Sequence, residues 1–180
     1  MFWAACTLAY FGFLRSSEFT VPSLASFSEE LHLGVADIAV DSPASPSCLR
    51  VRIKASKTDP FRKGCFTHIG RGKSPHCALS AVMAYLELRG NSPGPLFFLR
   101  DGRPLSRPML TGWLRRIMAA AGILGSFSSH SFRIGAAMVA ARNGVPDHLI
   151  QALGRWSSNA YQLYIHTPPD ALAKLSQQLT

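Results

Sequence analysis

Residues 49–56 alternate without a break, with Leu49, Val51, Ile53 and Ala55 on one side and Arg50, Arg52, Lys54 and Ser56 on the other. A side-chain period of two is the signature of a half-buried strand, and here the outward face is cationic. A turn-like run follows at 58–64, with Asp59, Pro60 and Gly64, and then a second short strand at 65–69. The two strands form an antiparallel hairpin, which puts Lys57 at the start of its loop. Residues 36–40 can supply a third strand. The Ser- and Glu-rich stretch 23–30 and the stretch 41–47, with Pro43 and Pro46, are loops.

Around this hairpin the periodicity is helical. Residues 1–19 form a first helix, with Arg15 and Glu18 near its C-terminal end. Residues 78–88 place Leu79, Val82, Met83 and Leu86 at helical spacing and stop at Gly90. Asp101-Gly102 marks a turn before a helix at 109–121, with Arg115 and Arg116 towards its end. A helix at 130–142 stops at Asn143-Gly144, and one at 146–153 opens with Pro146 in its first turn. A short helix carries Tyr161 and Tyr164, and 170–179 is a last helix with Leu172, Leu175 and Leu179 on one stripe. The sum is an α+β domain, mainly helical, with a small three-stranded antiparallel sheet.

The chain has 180 residues, 47% of them apolar, enough for one domain with its own core and too apolar for disorder. No repeat or low-complexity tract divides it. Residues 1–14 are apolar but lack a basic leader and are too short to span a bilayer, so a buried helix is expected and no membrane. A domain that opens inside a core helix looks like a piece of a longer protein. Cys6, Cys48, Cys65 and Cys77 show neither C-x-x-C spacing nor a metal-ligand pattern, so they read as reduced and structural, with no zinc. Nineteen Lys and Arg against ten Asp and Glu give a net charge of +9, which fits a solvated basic surface or a polyanionic partner.

The chemistry concentrates in the last third. His130 and Arg133 stand three apart behind Ser128 and Ser129, which can cap a helix, so the two are expected on its first exposed face. Arg155 precedes Tyr164 by nine residues. Guanidinium, imidazole and phenol together suit phosphate chemistry: arginines grip a phosphodiester and a phenol can attack its phosphorus.

The blocks H-S-F-R at 130–133, L-G-R-W at 153–156 and the following Y-Q-L-Y-I resemble the C-terminal motifs of the tyrosine recombinase (phage integrase-like) family. F-L-R-S-S-E at 13–18 is similar to its first-arginine motif and A-S-K-T at 55–58 to its hairpin-lysine motif, in the family's order. H-S-F-R-I-G-A-A and L-G-R-W are closest in flavour to the eukaryotic mobile-element members. The resemblance implies that Arg15 and Arg133 clamp the scissile phosphate, with Glu18 orienting Arg15. Lys57 would protonate the leaving 5′ oxygen, with Lys54 as the competing lysine, and His130 would accept a proton or donate a hydrogen bond. Arg155 stands where many members carry histidine. Trp156, shifted by one, could fill the tryptophan role of some members or pack in the core. Tyr164 would be the nucleophile, with Tyr161 as its rival or support. Arg50, Arg52, Lys54 and Lys63 would contact the DNA backbone.

Such chemistry keeps its bond energy in a 3′-phosphotyrosyl link and uses no metal, nucleotide or other cofactor. The implied partner is double-stranded DNA, bound by a DNA-dependent homo-oligomer in which residues 170–180 dock on a neighbour or fold back in cis. The implied domain is the catalytic one, 1–180, without the DNA-clamping domain that precedes it in the family. The location is nuclear in a eukaryote and otherwise cytoplasmic at DNA. A type IB topoisomerase-like enzyme and an inactive DNA-binding remnant are the competing readings.

Overall fold

The computed structural model describes residues 1–56, 59, 61, 63–73, 75–164 and 177, with the Tyr164 side chain outside that description. Lys57 and the anticipated helix at 170–179 also lie outside the described residues, Gln177 excepted. The described elements run α1 (Phe2–Phe11), α2 (Ser16–Phe19), β1 (Ile38–Val40), β2 (Cys48–Ile53), β3 (Cys65–Gly70), α3 (Ala78–Arg89), α4 (Arg107–Ala120), α5 (Ser131–Arg142) and α6 (Asp147–Gly154). Single 3-10 turns at Leu24–Ser26 and Val35–Asp37 and a longer one at Asn159–Tyr164 complete them. The mainly helical α+β class with one three-stranded antiparallel sheet is the one expected.

The sheet has the order β1-β2-β3. Val51 pairs with Ile38 and Thr67, and Ile53 pairs with Cys65. Leu49, Val51 and Ile53 are buried while Arg50 and Arg52 are exposed, as alternation requires. The alternation ends with the ladder at Ile53. Lys54, anticipated on the outward face, instead turns in and is only 15% exposed. Its Nζ lies 2.6 Å from Asp37 Oδ2 and donates to the His32 carbonyl at 3.2 Å. Past the last paired residue nothing holds a side chain to a strand face, and the carboxylate of the 3-10 turn captures the ammonium.

Helix α1 is a core helix, with Ala4 through Ala9 all buried, and it packs on α3 and α5. Its Cys6 thiol is pushed up to about 12 by that burial, which keeps it an inert thiol. All four cysteines are free. No helix among the described residues is long and apolar enough to cross a membrane. The main core runs from Leu8, Leu14 and Leu49 to Leu79, Leu96 and Leu110. A second cluster, Phe13, Ala136, Ala137, Ile150 and Tyr161, joins α5, α6 and the last turn to the end of α1.

The single first helix anticipated over 1–19 is two helices. Gly12 caps α1, Phe13 takes a left-handed φ of 50°, and Arg15 is extended at the start of α2. Arg15 therefore opens a helix rather than ending one, and Glu18 accepts its backbone N–H at 2.9 Å, as a capping-box acid does. The other departure is at α5, where His130 caps the helix instead of lying inside it. Ser131 Oγ accepts the Ser128 N–H at 3.0 Å, and Ser128 Oγ accepts the His130 N–H at 3.2 Å.

Candidate active site

Two helix C-termini meet at the centre of this site, and they end in the same way. After α1, the N–H of Phe13 bonds the Tyr10 carbonyl and that of Leu14 the Ala9 carbonyl. After α6, the N–H of Arg155 bonds the Ala152 carbonyl and that of Trp156 the Gln151 carbonyl. Both are Schellman closures, which need a left-handed residue. That residue is Phe13 (φ 50°) in one and Arg155 (φ 52°) in the other, the two non-glycine positive-φ positions among the described residues.

Each is preceded by a glycine that fills a different need. A Cβ on Gly12 would stand 2.8 Å from the Leu8 carbonyl oxygen, and a Cβ on Gly154 would overlap the six-membered ring of Trp156. The glycines thus provide close approach, and the strain is carried by the residues that follow them.

Three arginines converge on these ends, Arg15 from more than a hundred positions before Arg133 and Arg155. Arg133 Nη1 donates to the Phe13 carbonyl at 2.7 Å, and its Nη2 donates to the Gly154 carbonyl. Arg155 Nη2 donates to the same Phe13 oxygen at 3.1 Å, and its Nη1 to the Gly12 carbonyl at 3.2 Å. Cations at carbonyl-rich helix ends are electrostatically favoured.

The Glu18 carboxylate, fully buried, lies 2.8 Å from Arg155 Nη2 and 3.1 Å from Arg15 Nη1. Arg15 Nη1 also donates to Ser56 Oγ at 2.8 Å, which ties the start of the hairpin loop to the cluster. Among the described residues, Arg155 Nε is buried with no hydrogen-bond partner.

The expectation that His130 and Arg133 share an exposed face is corrected here. His130 is exposed at the rim, whereas Arg133 is 1% exposed. With the helix starting at Ser131, Arg133 falls in the first turn on the face that packs against α1. His130 is nonetheless in the field of the cluster. Its imidazole is held below the ordinary histidine value by partial burial, then by the guanidiniums of Arg133, Arg15 and Arg107. Arg107, at the start of α4, was not anticipated; no local motif marks it.

Trp156 lies against Arg133, with the guanidinium carbon 4.1 Å from the ring centroid. Phe13 meets the indole edge-on at 6.3 Å, and Tyr161 lies tilted at 5.8 Å. Tyr161 is buried in the second cluster, and the backbone of Tyr164 closes the same 3-10 turn. Arg50 and Arg52 are exposed on the outer sheet face, Arg50 5.2 Å from the Phe66 ring centroid, and Lys63 is exposed beside the hairpin loop. Among the described residues, no group of His, Cys, Asp and Glu could hold a metal ion. Residues that sequence reasoning missed are Ser56, whose place beside Lys57 was a signal, and Phe13, whose role is its carbonyl.

Comparison with solved structures returns site-specific recombinases. XerA recombinase aligns with a TM-score of 0.69 at 21% identity, over 97% of this chain and 55% of that one. XerH bound to palindromic difH in a post-cleavage complex gives 0.69 at 19% identity, over 97% and 44%. A lambda integrase (75-356) dimer bound to a COC' core site gives 0.59 at 15% identity, over 91% and 52%. The chain thus spans about half the length of the solved recombinases it matches, and at these identities the likeness is one of fold. Comparison with curated proteins gives no match. The phage integrase family model matches residues 47–169, a span that takes in the hairpin, His130, Arg133, Arg155 and Tyr164. Two thirds of the chain fall within that match, and the protein belongs to the phage integrase family.

Proposed function

We propose that this domain cleaves and rejoins DNA strands through a 3′-phosphotyrosyl intermediate, as the catalytic part of a recombining or integrating enzyme. The observation that carries the reading is the convergence of Arg15, Arg133 and Arg155 with His130 at the rim. The buried Nε of Arg155 points the same way, because a guanidinium N–H with no partner among the described residues calls for an acceptor such as a phosphate oxygen.

The Tyr164 oxygen attacks the phosphorus and its proton passes to a base. His130, held below the ordinary histidine value by partial burial and then by its cationic neighbours, suits that task. The bond to the 5′ oxygen breaks as Lys57 protonates it, and a 5′ hydroxyl from a partner strand later reverses the step. Arg15 and Arg133 grip the non-bridging oxygens, Arg155 adds a donor, and Glu18 holds Arg15 and Arg155 in place. Lys54 is committed to Asp37, which favours Lys57 as the general acid. Double-stranded DNA is the partner, met by Arg50, Arg52 and Lys63, with protein oligomers forming on DNA. We place the protein at nuclear DNA in a eukaryote and at cytoplasmic DNA otherwise.

One observation favours the remnant reading: Arg133 is buried, with both Nη atoms on backbone carbonyls. Nicked suicide DNA separates the two. An active domain leaves a covalent protein–DNA adduct that Tyr164→Phe abolishes and Tyr161→Phe does not. No adduct from the wild type supports the remnant, and an adduct that survives Tyr164→Phe moves the nucleophile elsewhere. Joining to a heterologous strand, rather than resealing of the same strand, separates recombinase from topoisomerase.

A further inference from the structure

We infer that Trp156 is a positioning residue that holds the Arg133 guanidinium on its ring face and links it to the turn carrying Tyr164. This rests on the strand-transfer reading above, and it assigns Trp156 a role through Arg133 rather than a hydrogen bond to the phosphate.

Three observations place the indole between the two. The Arg133 guanidinium carbon is 4.1 Å from its ring centroid, well within cation–π range. Tyr161, on the same 3-10 turn as Tyr164, lies tilted against the indole with the ring centroids 5.8 Å apart. Gly154 clears the space, since any Cβ there would overlap Cζ3, Cε3 and Cη2 of the indole.

The carbonyls of Phe13 and Gly154 fix two ends of the guanidinium, and the indole ring backs its central carbon. A planar fork held in one plane presents its donors in a fixed direction, which matters most in a transition state, where misplacement by an ångström is expensive. Phe13 braces the indole edge-on at 89° and supplies one of those carbonyls, so one residue sets both supports.

The test is a series of fluorinated tryptophans incorporated at position 156 alone, since fluorine withdraws density from the ring face with little change of shape. Single-turnover adduct formation on nicked DNA should slow stepwise with each fluorine, by about tenfold over the series, while non-covalent binding stays within about twofold. Trp156→Phe should retain more activity than Trp156→Leu. A rate flat across the fluorinated series, in protein of wild-type thermal stability, overturns the inference.

Should the wild type form no adduct at all, the strand-transfer reading fails on its own. The positioning inference is then decided by the proton spectrum of Arg133. An upfield-shifted Nε proton that returns towards its ordinary position in Trp156→Leu supports it, and an unshifted one in the wild type overturns it.

Discussion

Glu18→Gln removes one negative charge from between two guanidiniums and changes the side chain's shape very little. The carboxylate is fully buried and makes ion pairs at 2.8 Å with Arg155 and 3.1 Å with Arg15, whose own side chains are 14% and 16% exposed. It also accepts the Arg15 backbone N–H at 2.9 Å. At an effective dielectric near 20, each pair is worth about 5–6 kcal/mol gross, most of it offset by desolvation. Removing one partner of a buried pair is nevertheless costly, about 3–5 kcal/mol, because the remaining charge stays behind.

The amide keeps one acceptor, enough for the backbone N–H, but its NH2 faces a guanidinium as donor against donor. The expected loss is therefore at the lower end, about 3 kcal/mol, or roughly a 6–12 °C fall in Tm for a domain of this size. Thermal melts of Glu18→Gln, Arg155→Gln and the double variant measure it, and the double should lose much less than the sum of the singles. A Tm shift under about 2 °C for Glu18→Gln, or additive losses in the cycle, would refute the idea that this carboxylate holds the arginine pair.

Further outcomes are expected at His130, Arg50 and Lys54. Because His130 is shifted below the ordinary histidine value, it stays neutral to lower pH than a free histidine, so the acid limb of the cleavage-rate profile should lie below pH 6.5 and vanish in His130→Gln. The same shift contributes stability that is present above the ordinary value and is lost as pH falls through the folded one; an acid limb unchanged in His130→Gln assigns it to another group. On the outer sheet face, Arg50→Ala should lower the slope of log affinity for duplex DNA against log salt by about 0.9, whereas Lys54→Ala should leave the slope and destabilise the fold by about 3 kcal/mol, read by denaturant titration.

The sheet was legible because two independent signals agreed on it: period two in 49–53 and turn chemistry at Asp59 and Gly64, where the Gly64 N–H does bond Asp59 Oδ2 at 2.7 Å. The same rule failed one residue further on, at Lys54, where no partner strand enforces the pleat. Helix α3 was legible from Leu79 and Val82, both buried, and from Gly90 at its end.

The break after α1 was not legible. The usual signal is a glycine at the left-handed position, and here the glycine stands one residue earlier, where crowding by Leu8 requires it. The motifs identified the arginines of the site but not their burial. Spacing along α5 places His130 and Arg133 one turn apart, yet whether that turn faces water or α1 is decided by residues 120 positions away.

The two left-handed residues connect the fold to the proposed chemistry. A non-glycine in that conformation costs about 1–2 kcal/mol, and among the described residues the cost is accepted twice, both times where a carbonyl must turn towards a guanidinium or a guanidinium towards a carbonyl. Placing glycine at Phe13 or Arg155 would relieve strain, but it would remove the ring that braces Trp156 in one case and the cation that binds Glu18 in the other. Carbonyl oxygens accept hydrogen bonds without cancelling charge, and Glu18 can offset only one of the two guanidiniums it bridges. The arginines are thus held in place largely by groups that leave their positive charge available, which is the condition a phosphate-binding site has to meet before its phosphate arrives.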